Sequence, residues 1–201
     1  ALMAEQGWMS AAEIADLAYR RGIKSAETEA VAVSLDLLNT PAWRSFVSSR
    51  GLRAGNQAEQ LLRIGLAERV KHADGTEEVL PRRAAVLLFA EEPGSLLAGL
   101  GTRADIRLMV YEGKAVVSGA TPNFRKKPKT VRGPLIEQID EAVRLVIDAL
   151  TEGVTLASSG FQAKHVYPER VVKEAIVNAV IGIALITVAI FGVQQVAIFI
   201  A

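Results

Sequence analysis

Apolar residues recur with helical spacing most cleanly over Pro134–Leu150. There Leu135, Ile136, Ile139, Val143, Val146, Ile147 and Leu150 fall on one stripe. Glu137, Asp140 and Glu141 lie in its first turns, where the helix dipole favours acids. Four further helices are predicted. Ser10-Ala-Ala-Glu13 is a capping box that opens one over 10–21. Thr40-Pro41 opens one over 41–50, with Trp43, Phe46 and Val47 facing inward and Gly51 ending it. Asn56 caps one over 56–66, and Pro168 starts one over 168–181. Alternation at Val31, Val33, Leu35 and Leu37, and again at Ile106, Leu108 and Val110, predicts two strands. Asp74-Gly75 marks a tight turn between two short strands, so the helix before it and the hairpin together predict a winged-helix-like element. The dense apolar run Ala84–Ala90 fits a buried strand or a buried helix equally. Residues 118–133 read as loop. The pattern as a whole predicts an α+β fold with a mixed sheet and packed helices. It divides into a helical and linker region over 1–54, an α/β region over 55–165 and the start of a further unit over 166–201.

Composition narrows the chemistry. The 201 residues carry 23 Lys and Arg against 22 Asp and Glu, so no overall basic field advertises nucleic acid. There is no cysteine, which excludes disulfides and thiolate metal sites. The two histidines, His72 and His165, stand far apart in sequence, which speaks against zinc. The first residues form neither a signal nor a transit peptide, and Ala1 begins in mid-pattern, as an interior piece of a longer protein would.

Two places remain where residue types point to chemistry. The most basic stretch is Phe124–Lys129, with Arg125, Lys126, Lys127 and Lys129; it reads as an arm for DNA phosphates or as a solvated loop. The other is the helix from Pro168, where Glu174 and Asn178 lie one turn apart on one face. Their neighbours Val171, Val172, Ala175, Ile176, Val177, Ala179 and Val180 predict a largely buried helix, in which a carboxylate and an amide need partners. A carboxylate activating water and an amide oxygen on Mg²⁺ would satisfy that need; a helix edge with both side chains in solvent would satisfy it too.

Several segments, taken in order, resemble one family. Ala84-Ala-Val-Leu-Leu-Phe89 with Pro93, then Gly133-Pro-Leu-Ile-Glu-Gln-Ile-Asp-Glu-Ala142, Tyr167-Pro-Glu169 and Glu174-Ala-Ile-Val-Asn178-Ala-Val-Ile181 are similar to bacterial AlbA/Schlafen-type transcriptional regulators, sometimes labelled helicase-like. In these a DNA-binding domain leads into a divergent GHKL-like ATP-binding domain. The resemblance covers roughly residues 34–181. It implies ATP and Mg²⁺ as cofactors, Glu174 as general base and Asn178 as Mg²⁺ ligand. It also implies DNA as partner, held mainly by a domain before Ala1, a cytoplasmic location, and a homo-oligomer as one assembly. The chain departs from the family at Gly182-Ile-Ala-Leu185, where His-Arg-Asp-Tyr is expected. The glycine-containing box that holds adenine should start where the chain ends. No ATP hydrolysis is therefore expected of this chain, and an ATPase is expected only of a longer one.

From Ala175 to Ala201 no charged residue occurs. That run is long enough to span a bilayer. It also reads as a buried hairpin, Thr187–Phe191 and Val196–Phe199 about Gly192–Gln195, or as residues that differ from the family's because of a frameshift. The β-branched alternation favours the hairpin and speaks against a membrane. A scaffold without a nucleotide site and a tail-anchored membrane protein are the competing functional readings.

Overall fold

The computed structural model describes Ser10 and residues 25–101, 104–113, 115–117, 119, 121–157, 160–165, 167–187 and 194–200. Apart from Ser10, the helix expected over 10–21 lies outside the described residues. The fold is α+β, as the pattern predicts.

The first half forms where its capping signals place it. Helix α1 is Pro41–Arg50: the Thr40 side chain accepts from the Trp43 N–H, proline occupies the first turn, and Gly51 closes the helix at φ 57°. Helix α2 is Gln57–Arg63, where the Asn56 side chain accepts from the Glu59 N–H at 2.7 Å. Strands β1 (Ala67–Lys71) and β2 (Glu77–Pro81) pair antiparallel with Arg69 opposite Val79. Gly75 takes φ 84° in the turn between them, a conformation that favours glycine. The run at 84–90 resolves as helix α3 (Arg83–Phe89), because Ala85, Val86 and Phe89 share one buried face. Helix α4 is Pro93–Leu97.

The strand expected over 31–37 does not form: residues 31–34 are extended without a ladder and 35–38 are a 3-10 turn. Val31 and Val33 are buried and alternate with exposed Ala32 and Ser34. The backbone adds a single bridge from Ala30 to Arg82. The Ser34 hydroxyl then accepts from the Asp36 N–H and opens a 3-10 turn over Leu35–Leu38. Such local side-chain bonding competes with a ladder.

One core lies in this half. Leu38, Leu61, Val86, Phe89 and Leu97 are fully buried, with Val31, Val33 and Trp43 around them. Trp43 meets Phe89 edge-on at 4.9 Å between ring centres, and Phe46 lies 5.2 Å from Phe89. The Thr40 hydroxyl also donates to the Phe89 carbonyl at 2.6 Å, so one residue caps α1 and ties it to α3.

A second core forms between a mixed sheet and two helices. Strand β3 (Ile106–Glu112) pairs antiparallel with β4 (Phe124–Val131) and parallel with β7 (Gln194–Ile200), in the order β4-β3-β7. Helices α5 (Leu135–Leu150) and α6 (Glu169–Thr187) pack together, and Ile106, Leu108, Val131, Val143, Val146, Val172, Ile176 and Val180 close the core. Gln138 is its polar keystone. Its side chain is buried, accepts from the Ile106 N–H at 3.1 Å and donates to the carbonyls of Ala104 and Gly133. Each half of that amide is satisfied, as burial demands.

The structure corrects two further expectations and adds one hairpin. Residues 118–133 are not all loop, because β4 occupies 124–131. A basic, proline-containing strand gives no alternation signal, yet the edge of a sheet is where lysine, arginine and proline are tolerated. Next, the hairpin β5 (Thr151–Ala157) and β6 (Gly160–His165) follows α5 directly and was not foreseen. Last, α6 runs on to Thr187, so the first strand of the expected tail hairpin does not begin there; residues 188–193 lie outside the described residues. The second expected strand is found in β7, where Val196 lies opposite Leu108. Among the described residues, no helix is long and apolar enough to cross a membrane.

Candidate functional site

Helix α6 presents two stripes. Val172, Ile176 and Val180, spaced by four, turn into the core. Two residues along a helix is about 200° of rotation, so Arg170, Glu174 and Asn178 face the opposite way. The segment's apolar composition predicts burial on most sides. The structure instead buries one stripe and leaves Glu174 and Asn178 exposed, with the Glu174 side chain 62% accessible. The desolvation expected of the carboxylate and amide is therefore absent, and the helix-edge geometry is the one observed.

The exposed stripe is nevertheless a shared concavity. Glu169, Arg170, Lys173, Glu174, Val177 and Asn178 line an open groove of about 600 Å³. The Arg170 Nε donates to Glu174 Oε1 at 3.1 Å, one turn away. The Lys173 ammonium donates to Asp140 Oδ1 on α5 at 3.1 Å. Both pairs are solvent-exposed, and such pairs contribute at most about 1 kcal/mol, so they open readily for a stronger partner. Sequence reasoning singled out Glu174 and Asn178 and missed Arg170 and Lys173. The signal was present: 170, 174 and 178 form one four-residue repeat, with 173 beside it. Among the described residues, no group of three or more histidine, aspartate or glutamate side chains gathers as a metal cluster.

The basic stretch occupies the free edge of the sheet. Register shifts between Leu108 and Tyr111 interrupt the β3–β4 ladder, so Lys126 pairs with Val110 while Lys129 pairs with Leu108. That irregularity sends Lys126 and Lys129, three residues apart, toward the same helix. Lys126 donates to Asp148 Oδ2 at 3.0 Å and Lys129 to Glu141 Oε1 at 3.2 Å, both acids on α5. The Asp148 carboxyl is held below its ordinary range by the bond from Lys126. The Glu141 carboxyl is held down first by Arg144, which donates through two nitrogens, and then by Lys129. Arg125 and Lys127 are exposed and make no ion pair among the described residues. The four cations named together thus split into two that brace α5 and two without an ion pair among the described residues. Lys129, the last of the four, stands 40 residues (169 − 129) before Glu169, the first residue of the α6 groove.

No family model matches the chain, and no curated protein or solved structure matches it either.

Proposed function

We propose that the chain is part of a cytoplasmic bacterial transcriptional regulator of the AlbA/Schlafen type, and that the exposed face of α6 is one wall of its Mg²⁺–ATP site. The observation that carries this reading is the groove itself, lined by two carboxylates (Glu169 and Glu174), the Asn178 amide and two cations of one helix. The donor set fits the ligand. Asn178 offers an amide oxygen to Mg²⁺, which is usually held jointly by a few protein oxygens and phosphate oxygens. Arg170 and Lys173 offer N–H donors to phosphate, and phosphate is a stronger partner for them than the exposed carboxylates they now meet. Glu174, once released by Arg170, is a solvent-facing carboxylate able to take a proton from water. Mg²⁺ when bound supplies charge neutralisation of the phosphates.

The test uses a protein extended through the glycine-containing box that the resemblance places after this segment. There Glu174→Ala should abolish phosphate release while calorimetry still registers ATP binding. A protein indifferent to that change would leave Glu174 as part of a helix edge.

DNA is the second partner in this reading. The observation favouring it is that Arg125 and Lys127 are exposed on the strand and make no ion pair among the described residues, whereas Lys126 and Lys129 are engaged by α5. The main DNA contacts are assigned to a domain before Ala1, with β4 adding to them. The salt dependence of duplex binding tests this contribution.

A further inference from the structure

A second concavity lies far along the chain from α6, between α1 and α2. Its volume is about 370 Å³, and its polar lining comes from Asn39, Arg44, Ser48, Gln57 and Gln60, with Trp43 at its base. No carboxylate lines it, in contrast to the α6 groove, which contains Glu169 and Glu174.

Two details give this cleft a chemical sense. The Arg44 Nη1 donates to both the backbone carbonyl and the side-chain oxygen of Asn39, at 3.0 and 3.3 Å. That clamp holds Arg44 beside the cleft while using one nitrogen. The Nε and Nη2 edge, the side that grips an oxyanion with two parallel N–H groups, makes no hydrogen bond among the described residues. The second detail is the Gln57 side-chain N–H₂, which is buried and has no hydrogen-bond partner among the described residues. A buried donor without a partner is costly, and an acceptor that draws it toward the cleft recovers that cost. Gln60 beside it is settled, since its own N–H₂ donates to the Arg53 carbonyl at 3.0 Å. The Ser48 hydroxyl lines the same cleft. One acid stands nearby: the Glu59 carboxylate approaches Gly55 at the rim, about 3.4 Å from where a side chain on that glycine would begin.

We infer that this cleft binds a small oxyanion, gripped by the free edge of Arg44 and by the Gln57 amide once that side chain turns out of the wall to meet it. This site is independent of the α6 groove and does not rest on nucleotide binding there. A carboxylate-free cleft with a clamped arginine and a buried amide donor selects a phosphate or carboxylate group over a cation. The ligand is a free anion or a small molecule bearing such a group, because the cleft holds several times the volume of a phosphate and far less than a macromolecule.

The experiment is an NMR titration of the 201-residue chain with inorganic phosphate and, separately, with acetate, at constant ionic strength set by sodium chloride. Saturable shifts of the Arg44 Nε–H, the Gln57 N–H₂ and the Trp43 indole N–H are expected. Arg44→Met should weaken the anion by about tenfold or more, the usual scale for a charge-assisted bond. Gln57→Glu, which keeps the shape and places a negative charge in the cleft, should abolish the saturable shifts. Glu59→Gln should tighten binding. Arg44 is exposed, so its replacement leaves a folded protein even if the change at Gln57 does not. Saturation by phosphate alone or by acetate alone identifies the oxyanion class. Shifts that grow linearly for both anions, or that survive Arg44→Met unchanged, would overturn the site.

Discussion

The two cores of this chain are closed by different means. The first, around Phe89, is tied together by apolar and aromatic contacts, with Thr40 bonding α1 to α3 inside it. The second, between β3, α5 and α6, relies on a buried amide at Gln138 and is braced outside by Lys126, Lys129 and Lys173 reaching acids on α5. Its helices spend one stripe on the core and keep the other for solvent. A charged surface made this way costs little to rearrange, so the exposed pairs of the second region can exchange partners where its buried amide cannot.

The comparison can be broken from either side. Phe89→Ala removes the ring that Trp43 and Phe46 both meet, and should cost about 3–5 kcal/mol, the usual range for a buried phenylalanine. Urea unfolding measures it; a loss under about 1 kcal/mol would show that the first core does not depend on this cluster. Gln138→Leu should cost somewhat less, about 2–4 kcal/mol, because the Ile106 N–H and the carbonyls of Ala104 and Gly133 lose their buried partner. A neutral result in the same assay would make the keystone dispensable. The smallest effect belongs to the sheet edge. In a protein that binds duplex DNA, replacing Arg125 and Lys127 with alanine should flatten the salt dependence of binding by up to about one unit of slope per contact. Replacing Lys126 and Lys129 should do less, since both already answer acids on α5. Equal effects from the two pairs would remove the distinction between them.

What the sequence made legible follows the same division. The caps at Thr40 and Asn56, the Asp74-Gly75 turn and the stripe of α5 are local signals, and each element formed close to its expected place. Residues whose fate depends on distant partners were harder to read. Phe124–Val131 is a strand because β3 offers an edge, which its basic composition does not reveal. Val31–Leu37 alternates as a strand should, yet Ser34 diverts it into a 3-10 turn. Glu174 and Asn178 were found by spacing, whereas their exposure was not, because apolar neighbours predict burial without saying on which side. Arg170 and Lys173 belonged to the same stripe and needed only the helix to be drawn round.

Asn178 gives the most direct test of the proposed Mg²⁺–nucleotide face of α6. The measurement is ATP binding by calorimetry, in Mg²⁺ and in EDTA, for the extended protein and its Asn178→Ala variant. The account predicts that Mg²⁺ tightens ATP binding in the parent and that the variant loses most of this dependence while retaining its weaker, Mg²⁺-free affinity. A variant that responds to Mg²⁺ as the parent does would contradict the assignment of Asn178 and, with it, the reading of the α6 groove.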